Sequence, residues 1–144
     1  MPLHDRALYL KYTTYLERIP MFRSCSEDEL NRIADLASAI TAVEGEPIIQ
    51  QGDLAEEFFV IVSGSADVTR DRKFVASLEP GDYFGELALF DRALRNATVT
   101  ATSPTELVSF SWGAFDELLD KVGSLRSALL TGMARRLHEL EGRA

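Results

Sequence analysis

Three side-chain types lying close together in the chain could hold an anion joined to a sugar: Gly85, Glu86 and Arg95. Gly85 has no Cβ, so a ligand can approach its backbone closely. Glu86 to Leu89 reads as a single helical turn between strands, and the free N–H groups at the start of such a turn point outward and favour an anion. The Glu86 carboxylate sits at that same end. It partly competes with a phosphate there, but it fits well if it accepts hydrogen bonds from a neutral hydroxyl beside the phosphate. Arg95 stands nine positions further on, where the next strand begins, and its planar fork matches a phosphate bidentately. The set describes a sugar phosphate. A cyclic phosphodiester carries one negative charge, which one arginine and a few backbone N–H groups can balance. The same residues also fit a plainer arrangement, a surface ion pair between Glu86 and Arg95 beside a simple turn.

The elements that would position these residues follow from periodicity. Leu8, Tyr12, Tyr15, Leu16 and Ile19 fall at helical spacing, which predicts a helix over His4 to Ile19 that Pro20 stops. Ser26 and Glu29 form a capping box, and Leu30, Ile33, Ala34 and Ala37 then give a second helix one apolar face. From about Ala39 to Trp112 the pattern is that of strands. Phe58 to Val62 is an unbroken apolar run, which predicts a strand buried on both faces. Ala66 and Val68 alternate with Asp67 and Thr69; Ala97, Val99 and Ala101 alternate with threonines; Val108, Phe110 and Trp112 alternate with Ser109 and Ser111. Turn residues recur between these runs at Glu44-Gly45-Glu46, Gly52-Asp53, Ser63-Gly64 and Pro80-Gly81-Asp82. Short strands with frequent turns indicate a sandwich or barrel. Helical spacing returns with Phe115, Leu118, Leu119 and Val122, is interrupted at Gly123-Ser124, and resumes as a stripe of Leu125, Leu129, Met133, Leu137 and Leu140.

Composition narrows the function classes. The chain has 144 residues, 46% hydrophobic and 26% charged, which suits one globular domain. The single Cys25 rules out an internal disulfide framework and fits a reducing compartment, so a cytoplasmic protein is expected. One Cys and two His, His4 and His138, fall short of the four ligands of a structural zinc site or the cysteines of an iron–sulfur cluster. No metal or cofactor is expected, and no membrane insertion, because no apolar run approaches the ~20 residues of a spanning helix. The net charge of −8 argues against nucleic acid as a partner, with Arg135-Arg136 the densest basic pair. A metal-dependent β-barrel enzyme would need clustered His and carboxylates on strands, and neither His lies in the strand region.

The stretch Phe84 to Thr98 is strongly similar to the phosphate-binding cassette of the cyclic-nucleotide-binding domain family, which includes the catabolite activator protein and the regulatory subunits of cAMP-dependent protein kinase. The family pattern reads roughly F-G-E-L-A-L, five variable residues, then R-x-A-T. Phe84 to Leu89 match the first part, Phe90 to Leu94 are the five, and Arg95, Ala97 and Thr98 complete it. Ile19-Pro20-Met21-Phe22, Gly45-Glu46 through Gly52-Asp53, and Phe58 to Gly64 resemble the family's helix entry and early strands.

The resemblance implies an eight-stranded antiparallel β-roll, jelly-roll-like. N-terminal helices over 1–37 would precede a roll over 38–112, with the cassette at 84–98, and C-terminal hinge and lid helices over 113–144 would follow. It implies a non-enzymatic sensor with a ligand-binding set of Gly85, Glu86, Leu87, Ala88, Arg95, Asn96 and Ala97. In that set Glu86 takes the ribose 2′-hydroxyl and Arg95 the exocyclic phosphate oxygens. The N–H groups of Gly85, Ala88 and Asn96 line the phosphate and ribose. Leu130, Met133 or Leu137 from the final helix would cover the base, and that helix would move about a hinge near Gly123. The implied ligand is cAMP. Asn96 stands where cAMP binders often have Ala or Ser and cGMP binders Thr, which leaves cGMP open. The final stripe also suits a homodimer or a regulated effector domain. Two other readings stand beside this one: the ligand-binding half of a Crp/Fnr-type transcription regulator without its DNA-binding module, and a β-roll interaction module that no longer binds ligand.

Overall fold

The structure is a computed structural model, and it describes residues 22–23, 25–85, 94–123, 126–127 and 130–131. The helix predicted over His4 to Ile19 lies outside the described residues. So do both histidines, Arg135-Arg136 and all five residues of the final stripe.

Helix α1 spans Glu27–Leu36. Its capping box forms as the sequence predicts: the Glu29 N–H donates to Ser26 Oγ at 3.1 Å and the Ser26 N–H to Glu29 Oε1 at 2.9 Å. Leu30, Ile33 and Ala34 are its buried face. Eight strands follow: β1 Ser38–Ala42, β2 Pro47–Ile49, β3 Glu57–Ser63, β4 Ala66–Arg70, β5 Lys73–Leu78, β6 Tyr83–Phe84, β7 Thr98–Ala101 and β8 Thr105–Ser111. Helix α2, Trp112–Lys121, comes after them. The strands form two four-stranded sheets, in the orders β1-β8-β3-β6 and β2-β7-β4-β5, with every pairing antiparallel.

The two sheets enclose a core of Ala42, Phe59, Ile61, Ala66, Phe84, Val99, Ala101 and Leu107. The opposite face of the first sheet is also covered. Phe58 and Phe110 are fully buried there with ring centroids 6.0 Å apart, Phe22 packs edge-on to Phe110 at 6.5 Å, and α2 contacts α1, β3 and β8. Apolar residues therefore fill both faces of β3, as the run from Phe58 to Val62 predicts. The same layering explains a departure at β8. Alternation puts Ser109 outward, yet Ser109 is buried, because β8 lies between β1 and β3 and its second face points into the inter-sheet core. Trp112, at the end of that alternating run, opens α2 instead of continuing the strand.

The predicted interruption at Gly123-Ser124 falls at Val122, one residue earlier. Val122 is fully buried, and the Arg126 N–H donates to its carbonyl at 3.3 Å, a helical bond that spans Gly123. Gly123, Arg126, Ser127, Leu130 and Thr131 are helical. No helix among the described residues is long and apolar enough to cross a membrane.

Candidate functional site

Strand β6 ends the first sheet at Phe84, which pairs with Phe59 and stacks on it at 5.1 Å. That pairing delivers Gly85 next to the start of β3. Gly85 adopts φ +86, a left-handed conformation that glycine takes without steric cost. Arg95 reaches the same place from the far side of the cassette. Its backbone is held by the turn after β2: the Arg95 N–H donates to Asp53 O at 2.7 Å, and the Gly52 N–H donates to Arg95 O at 2.9 Å. Beside it, Leu54 and Leu94 form an isolated antiparallel bridge.

Arg95 is only 8% exposed. A buried cation needs acceptors, and two backbone carbonyls supply them. Nη2 donates to Glu57 O at 2.6 Å and Nη1 to Gly85 O at 3.4 Å. The guanidinium is thus anchored where β3 begins and β6 ends. The missing Cβ of Gly85 matters for a reason beyond ligand access. A Cβ there would stand 2.7 Å from Arg95 Nη1 and 3.0 Å from Glu57 O. Glycine at 85 makes room for the arginine itself.

The structure brings Gly85 and Arg95 together, and Asn96 and Ala97 follow Arg95 in the chain. Ala97 is buried, and Asn96 is exposed with its carbonyl accepting from Arg70 Nε at 3.1 Å. Glu86, Leu87 and Ala88 lie outside the described residues, as do Met133 and Leu137; Leu130 is exposed. The partners missed by sequence reasoning are the Glu57 carbonyl, Arg70 and Gln51. A backbone acceptor has no sequence signature. Arg70 and Gln51 become visible only through the turn that joins β4 to β5. There Arg70 pairs with Lys73 across a two-residue turn, Asp71-Arg72, with both residues at positive φ, +52 and +66. Hairpins favour such turns, but Asn-Gly or Asp-Gly is their usual signal, and Asp-Arg gives only half of it. Among the described residues, no group of three or more His, Cys, Asp or Glu side chains could hold a metal ion.

Comparison with known proteins agrees with this architecture. The profile of the family described as Cyclic nucleotide-binding domain matches residues 40–122. The cAMP-dependent protein kinase regulatory subunit of Schizosaccharomyces pombe is 38% identical over 109 residues, covering 75% of this chain and 26% of the relative. The chain spans about a quarter of the length of the curated relatives it matches. Among solved structures, the regulatory domain of Toxoplasma gondii PKA with cAMP superposes with a TM-score of 0.78 at 26% identity, covering 88% of this chain and 50% of that one. A second neighbour is the regulatory subunit of a cAMP-independent protein kinase A from Trypanosoma brucei, in a triple mutant bound to cAMP in its A site. It gives a TM-score of 0.77 at 26% identity and covers 86% of this chain and 46% of that one. With the profile running from β1 through the Arg95 anchor to the end of α2, this chain belongs to the cyclic nucleotide-binding domain family.

Proposed function

We propose that the domain binds cAMP and reports it through its C-terminal helices, with Arg95 holding the phosphate. The observation that carries this reading is the buried Arg95 guanidinium, held beside Gly85 at the mouth of the cassette. A singly charged cyclic diester matches the one arginine buried among the described residues, and a linear 5′-monophosphate brings more charge and a longer reach. The ribose 2′-hydroxyl falls to Glu86, the N–H groups of Gly85, Ala88 and Asn96 line the phosphate and ribose, and Leu87 and Ala97 complete the ligand-binding set. The choice of cAMP draws on the Toxoplasma gondii neighbour, which holds cAMP. The Trypanosoma brucei neighbour adds to it: that cAMP-independent subunit is bound to cAMP in a mutant where one of the three substitutions introduces an arginine. The whole protein is read as a regulatory component of the kind its relatives are named for, not as an enzyme.

Calorimetric titration tests the ligand. cAMP is expected to bind with at least about tenfold higher affinity than AMP, a difference of ~1.4 kcal/mol. Equal affinities would overturn the cyclic-diester reading. Hydrogen exchange tests the reporter. On adding cAMP, amides from Ser124 onward are expected to exchange more slowly, in addition to those of Gly85 to Asn96, because a ligand shifts a conformational equilibrium only through contacts that differ between states. Protection confined to the cassette would remove the final helix from the mechanism.

A further inference from the structure

We infer that Arg70 and Gln51 are positioning residues for the phosphate cradle, and that the tip of the β4–β5 hairpin is coupled to it through them. This rests on the cAMP reading for its ligand, but the geometry stands on its own. Gln51 grips the hairpin turn at two points: its Nε2 donates to Asp71 Oδ1 at 2.9 Å, and its Oε1 accepts from the Asp71 N–H at 2.9 Å. The backbone of the same residue donates to Thr98 Oγ1 at 3.0 Å, at the first residue of β7. Its neighbours Gly52 and Asp53 hold both sides of the Arg95 backbone. Arg70, next to Asp71, closes the ring by donating Nε to Asn96 O at 3.1 Å. Three hydrogen-bonded links, Gln51 to Asp71, Arg70 to Asn96 and Gly52 to Arg95, are joined by covalent neighbours into one closed circuit around the cassette's exit.

The circuit fixes two successive peptide planes. The Gly52 N–H fixes the plane between Arg95 and Asn96, and the Arg70 guanidinium fixes the plane between Asn96 and Ala97. A trans peptide sets its N–H opposite its carbonyl. The N–H groups of Asn96 and Ala97 are therefore aimed away from the anchoring turn and hairpin. A cation on the Asn96 carbonyl also polarises that peptide and strengthens the Ala97 N–H as a donor. Asn96 and Arg70 are both exposed, so the bond between them is weak for stability. Its consequence is orientation of a donor, which a ligand senses far more than the melting curve does.

The test uses the full chain with Arg70→Met, which keeps the stem and removes the donor, and Arg70→Lys, which restores one. Affinity for cAMP is read by calorimetry, and the Ala97 amide nitrogen by NMR on the ligand-free protein. Arg70→Met is expected to weaken cAMP binding about three- to tenfold, from the loss of orientation and of a charge-assisted bond. Its melting temperature should stay near that of the wild type. Arg70→Lys is expected to recover most of the affinity. The Ala97 nitrogen, which senses a bond to the preceding carbonyl, is expected to move in Arg70→Met and return in Arg70→Lys. Gln51→Leu, which releases the hairpin turn, should shift the same resonance. An unmoved Ala97 resonance overturns the inference whatever the ligand does, as does an affinity in Arg70→Met within the error of the wild type. A wild-type chain that binds no cAMP, yet shows the Ala97 resonance moving with Arg70, overturns the nucleotide reading and supports the positioning circuit.

Discussion

Replacing Arg95 with alanine is expected to weaken cAMP binding by at least about tenfold, since a charge-assisted hydrogen bond contributes roughly 1.5–3 kcal/mol and ~1.4 kcal/mol is tenfold in affinity. The structure adds a second effect that phosphate chemistry alone does not predict. The guanidinium donates to Glu57 O and Gly85 O in a site only 8% exposed, so its removal strands two carbonyls at the junction of β3 and β6. An acceptor left without a donor costs about 1–3 kcal/mol, so the variant should also melt several degrees lower. Arg95→Lys separates the two effects. It keeps the charge but supplies a point donor in place of a fork, so it should recover part of the stability and little of the bidentate phosphate contact. Calorimetry paired with thermal melts reads both. An alanine variant that binds cAMP as the wild type does would remove Arg95 from the site; one that melts unchanged would contradict its role as the clasp between strands.

Gly64→Ala is expected to cost about 2–5 kcal/mol of stability, combining left-handed strain of roughly 1–2 kcal/mol with overpacking of roughly 1–3 kcal/mol. Gly64 sits at φ +93 in the turn from β3 to β4. An added Cβ would stand 2.5 Å from both Pro104 O and Thr105 Oγ1, and 2.7 Å from Thr105 Cα. The neighbours cannot yield easily, because they belong to a hydroxyl cluster that ties this turn to the one between β7 and β8. The single Thr105 hydroxyl proton is shared between Ser65 O at 3.0 Å and Ser103 O at 2.9 Å, its oxygen accepts from the Ser65 N–H at 3.2 Å, and Ser65 Oγ meets Thr102 Oγ1 at 2.7 Å. Gly45 provides the control. Its φ of +87 is similar, but a Cβ there meets nothing within 4 Å, so Gly45→Ala should carry only the strain. Chemical denaturation of the two variants measures the difference. Equal losses would mean that the turns are not locked together.

Much of this architecture was legible in the chain because the features that specify it are side-chain patterns. The capping box at Ser26 and Glu29, the doubly buried run of β3 and the alternation in β7 each rest on residue types whose burial or bonding has one good solution. Strand β5 carries no such pattern. It is a sheet edge with a register shift opposite Val68 and Thr69, and Phe74 and Val75 are both exposed, so its apolar residues follow no single face. Strands β2 and β6, of three and two residues, are too short to show a period. At the site, the charge of Arg95 and the flexibility of Gly85 pointed to an anion from the sequence. The acceptors that hold the arginine are main-chain atoms of residues up to 38 positions away, and only the closed fold brings them into register.

The order β1-β8-β3-β6 also bears on how the chain is made. Strand β8 lies between β1 and β3 but is synthesised after both, and its register joins Ser109 to Ser38 across nearly the whole roll. On a ribosome, β1 and β3 emerge early and wait for the strand that separates them, with Phe58, Phe59 and Ile61 exposed meanwhile. Closing so distant a pairing is slow, on the order of milliseconds to seconds for all-β topologies. The nascent domain therefore spends its most aggregation-prone interval before Thr105 to Ser111 leaves the exit tunnel, and a chain cut short of β8 would keep the unpaired edges of β1 and β3 in an unfinished sheet.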